Sequence, residues 1–285
     1  LLGAIDVTIN TAYRGRPLEH AINTAQARLM LIGTRHIGVL AQSEREVPLL
    51  ERALYFDDES DTSAPPADGI RFARVALAPL PAPAPPSAGW QAPGARAQDL
   101  ASIIFTSGTS GPAKGVMLPH AQAYLVSLES AQQLQVREDD VYYIFHPLFH
   151  MSPRYVAIYA ALIAGAQVCM DRGFNAADWL PRIRACGAPV ATGHGPMLEM
   201  ISATPEQDHD ADNPLRRLAT SPFPWHIAAH FERRFAIRGL EVWGMTEVNI
   251  PLWNSLDEPL RPGCGRPISH VDELPLVDPD TDLPL

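Results

Sequence analysis

Helix-like stretches that are each followed by a short apolar run constrain the fold of this chain most strongly. From Pro17 to about Arg28, apolar residues recur at helical spacing, and LMLIG follows as a buried strand. The same order recurs in DWLPRIRACG followed by APVATG, and in WHIAAHFERRF followed by LEVWG. A helical period that gives way to a short apolar run indicates helices packed on strands. We therefore expect an α/β domain with largely parallel sheets covered by helices.

The composition limits the class of protein. The chain has 285 residues, of which 46% are hydrophobic and 19% charged, so it is long enough for one large domain or two smaller ones. A formal net charge of −10, without any block of Lys and Arg, argues against a nucleic-acid partner. The most apolar stretch, Tyr155 to Met170, is shorter than the roughly 20 residues that span a bilayer. It predicts instead a buried helix that ends at Gly165, followed by a strand, AQVCM.

The cysteines bear on the cellular compartment. Cys169, Cys186 and Cys264 are odd in number, widely spaced and without a CxxC pair, so they indicate neither a disulfide framework nor a zinc site. The first residues, LLGAIDVTIN, lack the positively charged region of a signal peptide. Together with the short apolar stretch, these observations predict a cytoplasmic protein without a transmembrane segment.

A Pro- and Ala-rich segment interrupts the helix and strand pattern. The run APLPAPAPPSAGWQAPGARA is too rich in Pro and Ala for a packed element and is typical of an extended linker. We therefore predict three parts: residues 1–78 as the first α/β part, residues 79–97 as the linker, and residues 98–285 as the ligand-binding part.

A Gly-rich run follows the apolar strand LASIIFT, and strand ends are where α/β sheets place ligands. Its glycines allow close backbone approach, its hydroxyl groups donate hydrogen bonds and its Lys is positive, a combination that suits a triphosphate. Because Ala113 precedes Lys114 and Gly115 follows it, this is not a Walker A loop, and SGTSG does not match GxSxG. A flexible surface loop would explain Gly and Ser but not this ordered run. The predicted phosphate-binding residues are Thr106, Ser107, Gly108, Thr109, Ser110, Gly111 and Lys114.

The run TSGTSGPAKGVMLPH resembles the phosphate-binding signature of the adenylate-forming (ANL) superfamily, which includes acyl-CoA synthetases, luciferases and the adenylation domains of peptide synthetases. VWGMTE, residues 242–247, resembles its aromatic-Gly-x-Thr-Glu motif, and GCGRPISHVDELPLVDPDTDLPL is similar to the stretch that follows. INTAYRG and PLFHMSPRYVAIYAALIAGAQVCM are most similar to fatty-acyl and carnitine-type CoA ligases. The resemblance implies the stacked αβαβα layers of the superfamily's large N-terminal domain, incomplete at both ends.

The resemblance also implies a two-step reaction that uses ATP, Mg²⁺ and coenzyme A. A carboxylate attacks the α-phosphorus of ATP to give an acyl-adenylate and pyrophosphate, and the thiol of coenzyme A then displaces AMP. Because both reactants of the first step are anions, catalysis depends on alignment and on neutralising charge at the phosphates. By motif position, Lys114 and Thr246 contact phosphate, and Glu247 helps to hold Mg²⁺, to which its hard oxygen is suited. These three are the predicted catalytic residues.

The resemblance places further residues around the nucleotide. Trp243 lies against the adenine by motif position, while a core aromatic and a solvated acid are the alternatives for Trp243 and Glu247. The superfamily's Gly-Gly-Ala-Pro-like turn corresponds here to ATSPFP, in which Phe223 adds bulk against the base. The predicted nucleotide-binding residues of this half are Ser221, Pro222, Trp243, Gly244, Met245 and Thr246.

A third group of residues is expected at the carboxylate. His150 of HPLFHM matches a superfamily His beside the carboxylate pocket, and TGHGP takes the place of a loop that lines it. A metal pair of His146 and His150 is disfavoured, because Pro147 breaks the helix that would put both on one face and no HExxH is present. A core histidine with satisfied hydrogen bonds remains an equal alternative for both. The predicted carboxylate-binding residues are His150, Gly193, His194 and Gly195.

The sequence thus favours an AMP-forming acid–thiol ligase that converts a small carboxylic acid to its acyl-CoA. A truncated, non-catalytic nucleotide- or acyl-binding protein and a peptide-synthetase adenylation domain remain as alternatives. The apolar YVAIYAALIAG, with no acidic residue that stands out as a partner for an amino group, favours a CoA ligase over an amino-acid activator. The superfamily's ribose-binding Asp, hinge and late Lys correspond to positions beyond Leu285, so we expect these residues alone to have little turnover. The acid and the oligomeric state are left open.

Overall fold

The computed structural model describes residues 3–56, 94–106, 111–259, 263–268, 271 and 274–284. The chain divides into two compact units at the boundary between His120 and Ala121. The proposed linker, residues 79–97, falls mostly outside the described ranges, so the three-part organisation stays a prediction. No helix in these ranges is both long and apolar enough to cross a membrane.

Two small sheets make up the first unit. β4 lies between β1, to which it is parallel, and β5, to which it is antiparallel, while β2 and β3 form a parallel pair. Residues Leu18, Ala21 and Ile22 of α1 are buried, as the helical spacing predicts. The elements in chain order are β1 (Asp6–Thr8), α1 (Arg16–Thr24), β2 (Leu29–Gly33), α2 (Ile37–Gln42), β3 (Arg52–Phe56), β4 (Leu100–Thr106) and β5 (Lys114–Pro119).

A larger sheet organises the second unit. Its strand order is β12-β11-β10-β9-β8-β6-β7, and all neighbours from β7 to β10 are parallel, whereas β11 and β12 are antiparallel. The expected alternation of helix and parallel strand is confirmed here. The elements are α3 (His120–Gln133), β6 (Val141–Ile144), α4 (Ala160–Ala164), β7 (Gln167–Met170), α5 (Ala176–Cys186), β8 (Val190–Gly193), α6 (Gly195–Ser202), β9 (Arg217–Thr220), α7 (Trp225–Phe235), β10 (Arg238–Met245), β11 (Asn249–Trp253) and β12 (Arg266–Pro267).

An aromatic cluster ties α5 and α7 to this sheet. The ring of Trp179 on α5 lies 5.3 Å from that of Phe235 and 5.9 Å from that of Phe231, both on α7. Phe223 joins the cluster at 6.0 Å from Phe231, and residues of β8 and β9 line the same core. A Cβ atom at Gly239 would lie 2.2 Å from the Phe223 ring, so this position has room only for Gly. Burial of each aromatic side chain stabilises the fold by about 2–3 kcal/mol.

The predicted helix before Gly165 has a different form in its first half. Ser152–Tyr159 is a π-helix that continues into α4, so the predicted helix is present but its first half is not an α-helix. The hydrogen bonds of a π-helix span five residues, which a pattern with a period of 3.6 does not reveal. The helix ends where the sequence predicts, because Gly165 adopts the left-handed conformation with φ of 76°, and β7 follows.

The cysteines also differ from expectation. Cys169 on β7 and Cys186 at the end of α5 form a disulfide, with their Cα atoms 6.3 Å apart, so the expectation that the cysteines are unpaired is wrong. The two residues are 17 positions apart, and only the packing of α5 beside β7 brings them together. Cys264 is free. Disulfides are typical of oxidising compartments, so this bond does not support the predicted reducing location.

Candidate functional site

The parallel strands of the second unit have their carboxyl ends on the same side of the sheet. Residues with predicted roles follow the strands at these ends, which are called the shared strand edge below. Gly193, the last residue of β8, pairs with Thr220, the last residue of β9, and Thr220 pairs with Glu241 on β10. Ligands of open α/β sheets bind outside the carboxyl ends of the strands. The predicted nucleotide residues that follow β9 and end β10 therefore share an edge with the predicted carboxylate residues that follow β8 and β6.

The Thr-Glu motif forms the tip of the hairpin between β10 and β11. Thr246, Glu247 and Val248 make a tight turn, in which the backbone N–H of Val248 donates to the carbonyl of Met245 at 3.1 Å. Asn249 follows with φ of 63°, the left-handed residue that usually completes such a three-residue hairpin loop. The turn therefore holds the backbone of Thr246 and Glu247 in a defined conformation.

The structure explains why position 244 is occupied by Gly. A Cβ atom at this position would lie 2.1 Å from the carbonyl oxygen of Asn249, on the opposite strand. The register of the hairpin shifts between Trp243 and Met245, which brings the two backbones together at this point. Gly244 therefore permits the close approach that shapes the turn, and its predicted contact with the nucleotide stays a prediction.

Gln122, which the sequence analysis did not identify, supports this turn from α3. Its side-chain Nε2 donates hydrogen bonds to the carbonyl oxygens of Thr246, at 3.0 Å, and Glu247, at 3.3 Å. The side chain of Asn249 donates in return to the backbone carbonyl of Gln122 at 3.4 Å. Because these partners lie 124 and 125 residues further along the chain, no local pattern could have identified Gln122.

The side chains of Trp243, before the turn, and Glu247, within it, are exposed. Trp243 is 38% exposed, so it is not a core aromatic, and its ring is free to stack on a planar ligand. Glu247 is also exposed. Exposure is expected both for an acid that coordinates Mg²⁺ beside phosphate and for a solvated acid, so it does not separate the two interpretations. Their contacts with adenine and Mg²⁺ remain predictions.

The ATSPFP segment begins at the last two residues of β9 and adopts a tight conformation. The peptide bond before Pro222 is cis, and the hydroxyl of Thr220 donates to the carbonyl of Pro222 at 3.1 Å. Phe223 is 1% exposed and lies in the aromatic core, so the expectation that it crowds the adenine is wrong. Glu241 is buried beside this segment and accepts a hydrogen bond from the backbone N–H of Phe223, and burial raises the pKa of its carboxyl. Glu241 was not predicted.

Three histidines lie close together after β6 and β8. His146 follows β6, is 4% exposed, and stacks on Phe145 with ring centroids 4.3 Å apart. Its ring meets that of His194 edge to face, with centroids 4.7 Å apart. Among the residues that the structure describes, none hydrogen-bonds to either ring nitrogen of His146. His146 is therefore not the satisfied core histidine of the alternative interpretation.

The protonation states of these histidines follow from their surroundings. Burial, with smaller contributions from His194 and His150, lowers the pKa of His146 to about 3, so its imidazole is neutral at pH 7. Partial burial and His194 also lower the pKa of His150, which is the more exposed of the two. His194 Nδ1 lies 3.2 Å from the carbonyl oxygen of Ser221. Since a carbonyl only accepts, Nδ1 carries a proton and donates it to this hydrogen bond, which leaves Nε2 to face a ligand.

Within the described ranges, no group of three or more His, Cys, Asp and Glu side chains is placed to hold a metal ion. The only residue predicted as a metal ligand is Glu247. Mg²⁺ usually takes one or two carboxylates and completes its shell with water and phosphate oxygens, so a single exposed carboxylate fits Mg²⁺ bound with ATP.

The predicted phosphate loop belongs to a hairpin of the first unit. Thr106 ends β4, Lys114 begins β5, and the two residues pair directly across the strands. Side chains at paired positions lie on the same face, about 5 Å apart, so the hydroxyl and the exposed ammonium group point the same way. His20 Nε2 contacts the carbonyl of Ala113 at 2.8 Å, where it donates a hydrogen bond. Gly111 is exposed, and Ser107, Gly108, Thr109 and Ser110 lie outside the described residues.

Comparisons with known proteins identify the family of this chain. A family model described as AMP-binding enzyme matches residues 1–285. The chain is 30% identical over 288 residues to the medium/long-chain-fatty-acid–CoA ligase FadD17 of Mycobacterium tuberculosis, a match that covers 100% of this chain and 51% of the relative. It is 33% identical over 283 residues to the steroid-22-oyl-CoA synthetase of Rhodococcus jostii, covering 99% of this chain and 47% of the relative. The chain thus spans about half the length of these curated relatives.

Solved structures match the fold. The anthranilate CoA ligase AuaEII in complex with anthranoyl-AMP superposes with a TM-score of 0.78 at 18% identity, over 99% of this chain and 53% of that one. ATP-bound MatB from Rhodopseudomonas palustris superposes with a TM-score of 0.76 at 21% identity, over 99% of this chain and 52% of that one. The expected α/β fold of the adenylate-forming enzymes is confirmed, and with the family match over its whole length this chain belongs to the AMP-binding enzyme family.

Proposed function

We propose that this chain is the ATP- and carboxylate-binding part of an AMP-forming acyl-CoA ligase. The observation that carries the proposal is the shared strand edge, where the Thr-Glu turn, Ser221 and His194 follow the neighbouring strands β10, β9 and β8. Such a ligase must align two anions, ATP and a carboxylate, side by side. The names of the relatives, a fatty-acid CoA ligase and a steroid-22-oyl-CoA synthetase, support a carboxylic acid as the substrate.

At the nucleotide end, the turn supplies the groups that face developing charge. The hydroxyl of Thr246 donates to an oxygen of the α-phosphate while the carboxylate oxygen bonds to phosphorus and pyrophosphate leaves. Gln122 holds the backbone of the turn in place during this step. Trp243 stacks on the adenine. When bound, Mg²⁺ neutralises charge on the phosphates, and the carboxylate of Glu247 is its protein ligand.

The phosphate hairpin supplies a positive charge. Lys114 is the only Lys in the sequence, and we assign it to the phosphates of ATP together with the hydroxyl of Thr106. In the second step the sulfur of coenzyme A loses its thiol proton to solvent and bonds to the acyl carbon, and AMP leaves with the electron pair of the broken C–O bond. We include a cytoplasmic location in the proposal, because ATP and coenzyme A are both available there.

At the carboxylate end, His150, Gly193, His194 and Gly195 line the place of the acid. Gly195 lies under the ATSPFP turn, since a Cβ atom there would be 3.2 Å from the carbonyl oxygen of Pro222. The loop after β8 and the turn after β9 are therefore in direct contact, and the hydrogen bond from His194 to Ser221 links them further. This contact supports the proposal that the carboxylate and the nucleotide bind next to each other.

Carboxylate-dependent exchange of pyrophosphate into ATP by the full-length protein tests the proposal. We expect exchange that requires Mg²⁺ and at least one acid from a panel of fatty, aromatic and carnitine-like acids. Thr246→Val, which keeps the shape and removes the hydroxyl, should slow exchange by about 10²-fold or more, whereas Thr11→Val at an exposed position should not. ATP binding without exchange for any acid would establish the non-catalytic nucleotide-binding protein instead.

A further inference from the structure

His146 offers hydrogen-bonding groups that the proposed reaction does not use, and its ring contacts that of His194, which lies at the carboxylate end. Adenylate formation needs groups at the phosphates and at the attacking carboxylate, and neither step calls for a buried neutral imidazole. A buried polar group without a partner is unfavourable, so such groups in a binding region usually meet a polar group of the ligand. A purely aliphatic acyl chain would leave the nitrogens of His146 without partners within the described part of the chain.

The chemistry of the pair narrows the ligand group. His194 directs Nε2 toward the ligand, because Nδ1 donates to the carbonyl of Ser221, and in the neutral tautomer Nε2 accepts a hydrogen bond. His146, which is neutral, has one N–H donor and one acceptor. A hydroxyl group both donates and accepts, so it matches one nitrogen of each ring. A second carboxylate would need a positive partner, which a neutral imidazole with a pKa of about 3 does not provide.

The location of the pair is that of a specificity site. His194 is only partly buried, so a ligand group that reaches it also lies beside His146, whose ring centroid is 4.7 Å away. Both residues follow strands at the same edge, β8 and β6, which are direct neighbours. They are on the far side of Ser221 from the Thr-Glu turn. The group that they bind therefore belongs to the acid rather than to ATP.

We propose that His146 and His194 bind a hydroxyl group of the acyl substrate, so that the acid activated is a hydroxylated carboxylic acid. This inference rests on the proposed function and specifies its substrate class. A site built to hydrogen-bond a hydroxyl group discriminates strongly against the analogue that lacks it, because the buried nitrogens are then unpaired. The preference is therefore measurable with matched acids.

The experiment compares pairs of acids that differ by one hydroxyl group, such as octanoic, phenylacetic and 3-phenylpropionic acids and their hydroxylated counterparts, with the hydroxyl placed at successive positions. The readout is kcat/KM for pyrophosphate exchange by the full-length protein. We expect at least one hydroxylated acid to be preferred over its parent by about tenfold or more. His146→Phe, which keeps a ring against Phe145, should remove that preference, and His209→Phe at an exposed position should keep it.

The outcomes separate the inference from the proposed function. Exchange with parent acids at rates equal to those with hydroxylated acids would overturn the inference and leave the ligase function standing. If no acid supports exchange, the proposed ligase function is wrong. The inference is then tested by calorimetric binding of the same pairs of acids, and equal binding of hydroxylated and parent acids overturns it. If His146→Phe does not fold, His194→Phe takes its place, because the ring of His194 is partly exposed. An unchanged preference in a folded variant overturns the inference.

Discussion

Replacing Gln122 with Ala removes both side-chain hydrogen bonds that α3 makes to the Thr-Glu turn. The bonds run from Nε2 to the carbonyl oxygens of Thr246 and Glu247 at 3.0 and 3.3 Å. The bond that Asn249 donates to the backbone carbonyl of Gln122 remains in the variant, so the hairpin stays attached to α3 at one point. The substitution therefore loosens the turn without removing it.

The size of the effect follows from these two bonds. Each hydrogen bond contributes about 0.5–1.5 kcal/mol, and the carbonyl of exposed Glu247 can bond to water instead, which places the sum at about 1–2 kcal/mol. We expect the free energy of ATP binding to become less favourable by this amount, because the nucleotide must order the turn that Gln122 otherwise holds. The loss corresponds to about 5- to 30-fold weaker ATP binding. The KM for the carboxylate should change little, since the side-chain hydrogen bonds of Gln122 go to the Thr-Glu turn.

The assay is calorimetric titration of ATP with Mg²⁺ into the full-length protein, with pyrophosphate exchange measured at varied ATP and at varied acid. Gln132→Ala, at an exposed position of the same helix, is the matched control and should leave ATP binding unchanged. An ATP affinity within twofold of the unmodified protein for Gln122→Ala would refute the argument. The turn would then be held by its own backbone bond and by strand pairing alone.

Other predictions concern single side chains. Lys114→Ala should remove one charge-assisted contact and weaken ATP binding, measured by calorimetric titration, by about 1.5–3 kcal/mol, and an unchanged affinity would contradict the assignment of Lys114 to the phosphates. Gly244→Ala should destabilise the fold by about 1–3 kcal/mol in urea unfolding, because its Cβ would lie 2.1 Å from a carbonyl oxygen, whereas Gly38→Ala, in open space on α2, should not destabilise it. For His146, the unfolded chain binds a proton below pH 6.5 and the folded chain does not until about pH 3, so its contribution to stability falls as pH is lowered through this window. His146→Phe should flatten that dependence by about 1.4 kcal/mol per pH unit, and an unchanged slope would contradict the assignment.

The elements that sequence patterns predict are those in which local residues determine the structure. The amphipathic spacing of α1, α5 and α7 survives in the fold because the same residues that repeat in sequence are the ones buried. Gly165 ends its helix as expected because only the backbone of that residue is involved. The sequence also predicts that the Thr-Glu motif lies near the end of a strand, since an apolar run precedes it.

Features that depend on distant residues were not readable in this way. The sequence predicts that Phe223 adds bulk against the adenine, but its ring packs in the core beside Gly239. The Cys169–Cys186 disulfide and the contacts of Gln122 exist only after the chain has folded. The environment of a side chain is a property of every element packed around it, so residue type and spacing alone cannot determine it.

The strand order also limits where the two substrates meet under the proposed function. Neighbouring strands are about 4.8 Å apart, so β8 and β10, with β9 between them, are separated by about 10 Å. The α-phosphate at Thr246 and the acid at His194 each need only a few ångströms to reach the end of β9. Ser221 follows β9 and accepts the hydrogen bond from His194, so under the proposed function we expect the two substrates to meet near this residue. If adenylate formation takes place there, bulk added at the neighbouring Pro222 and Gly195 contact should slow exchange for every acid alike, whereas changes at His146 should alter only which acid is used.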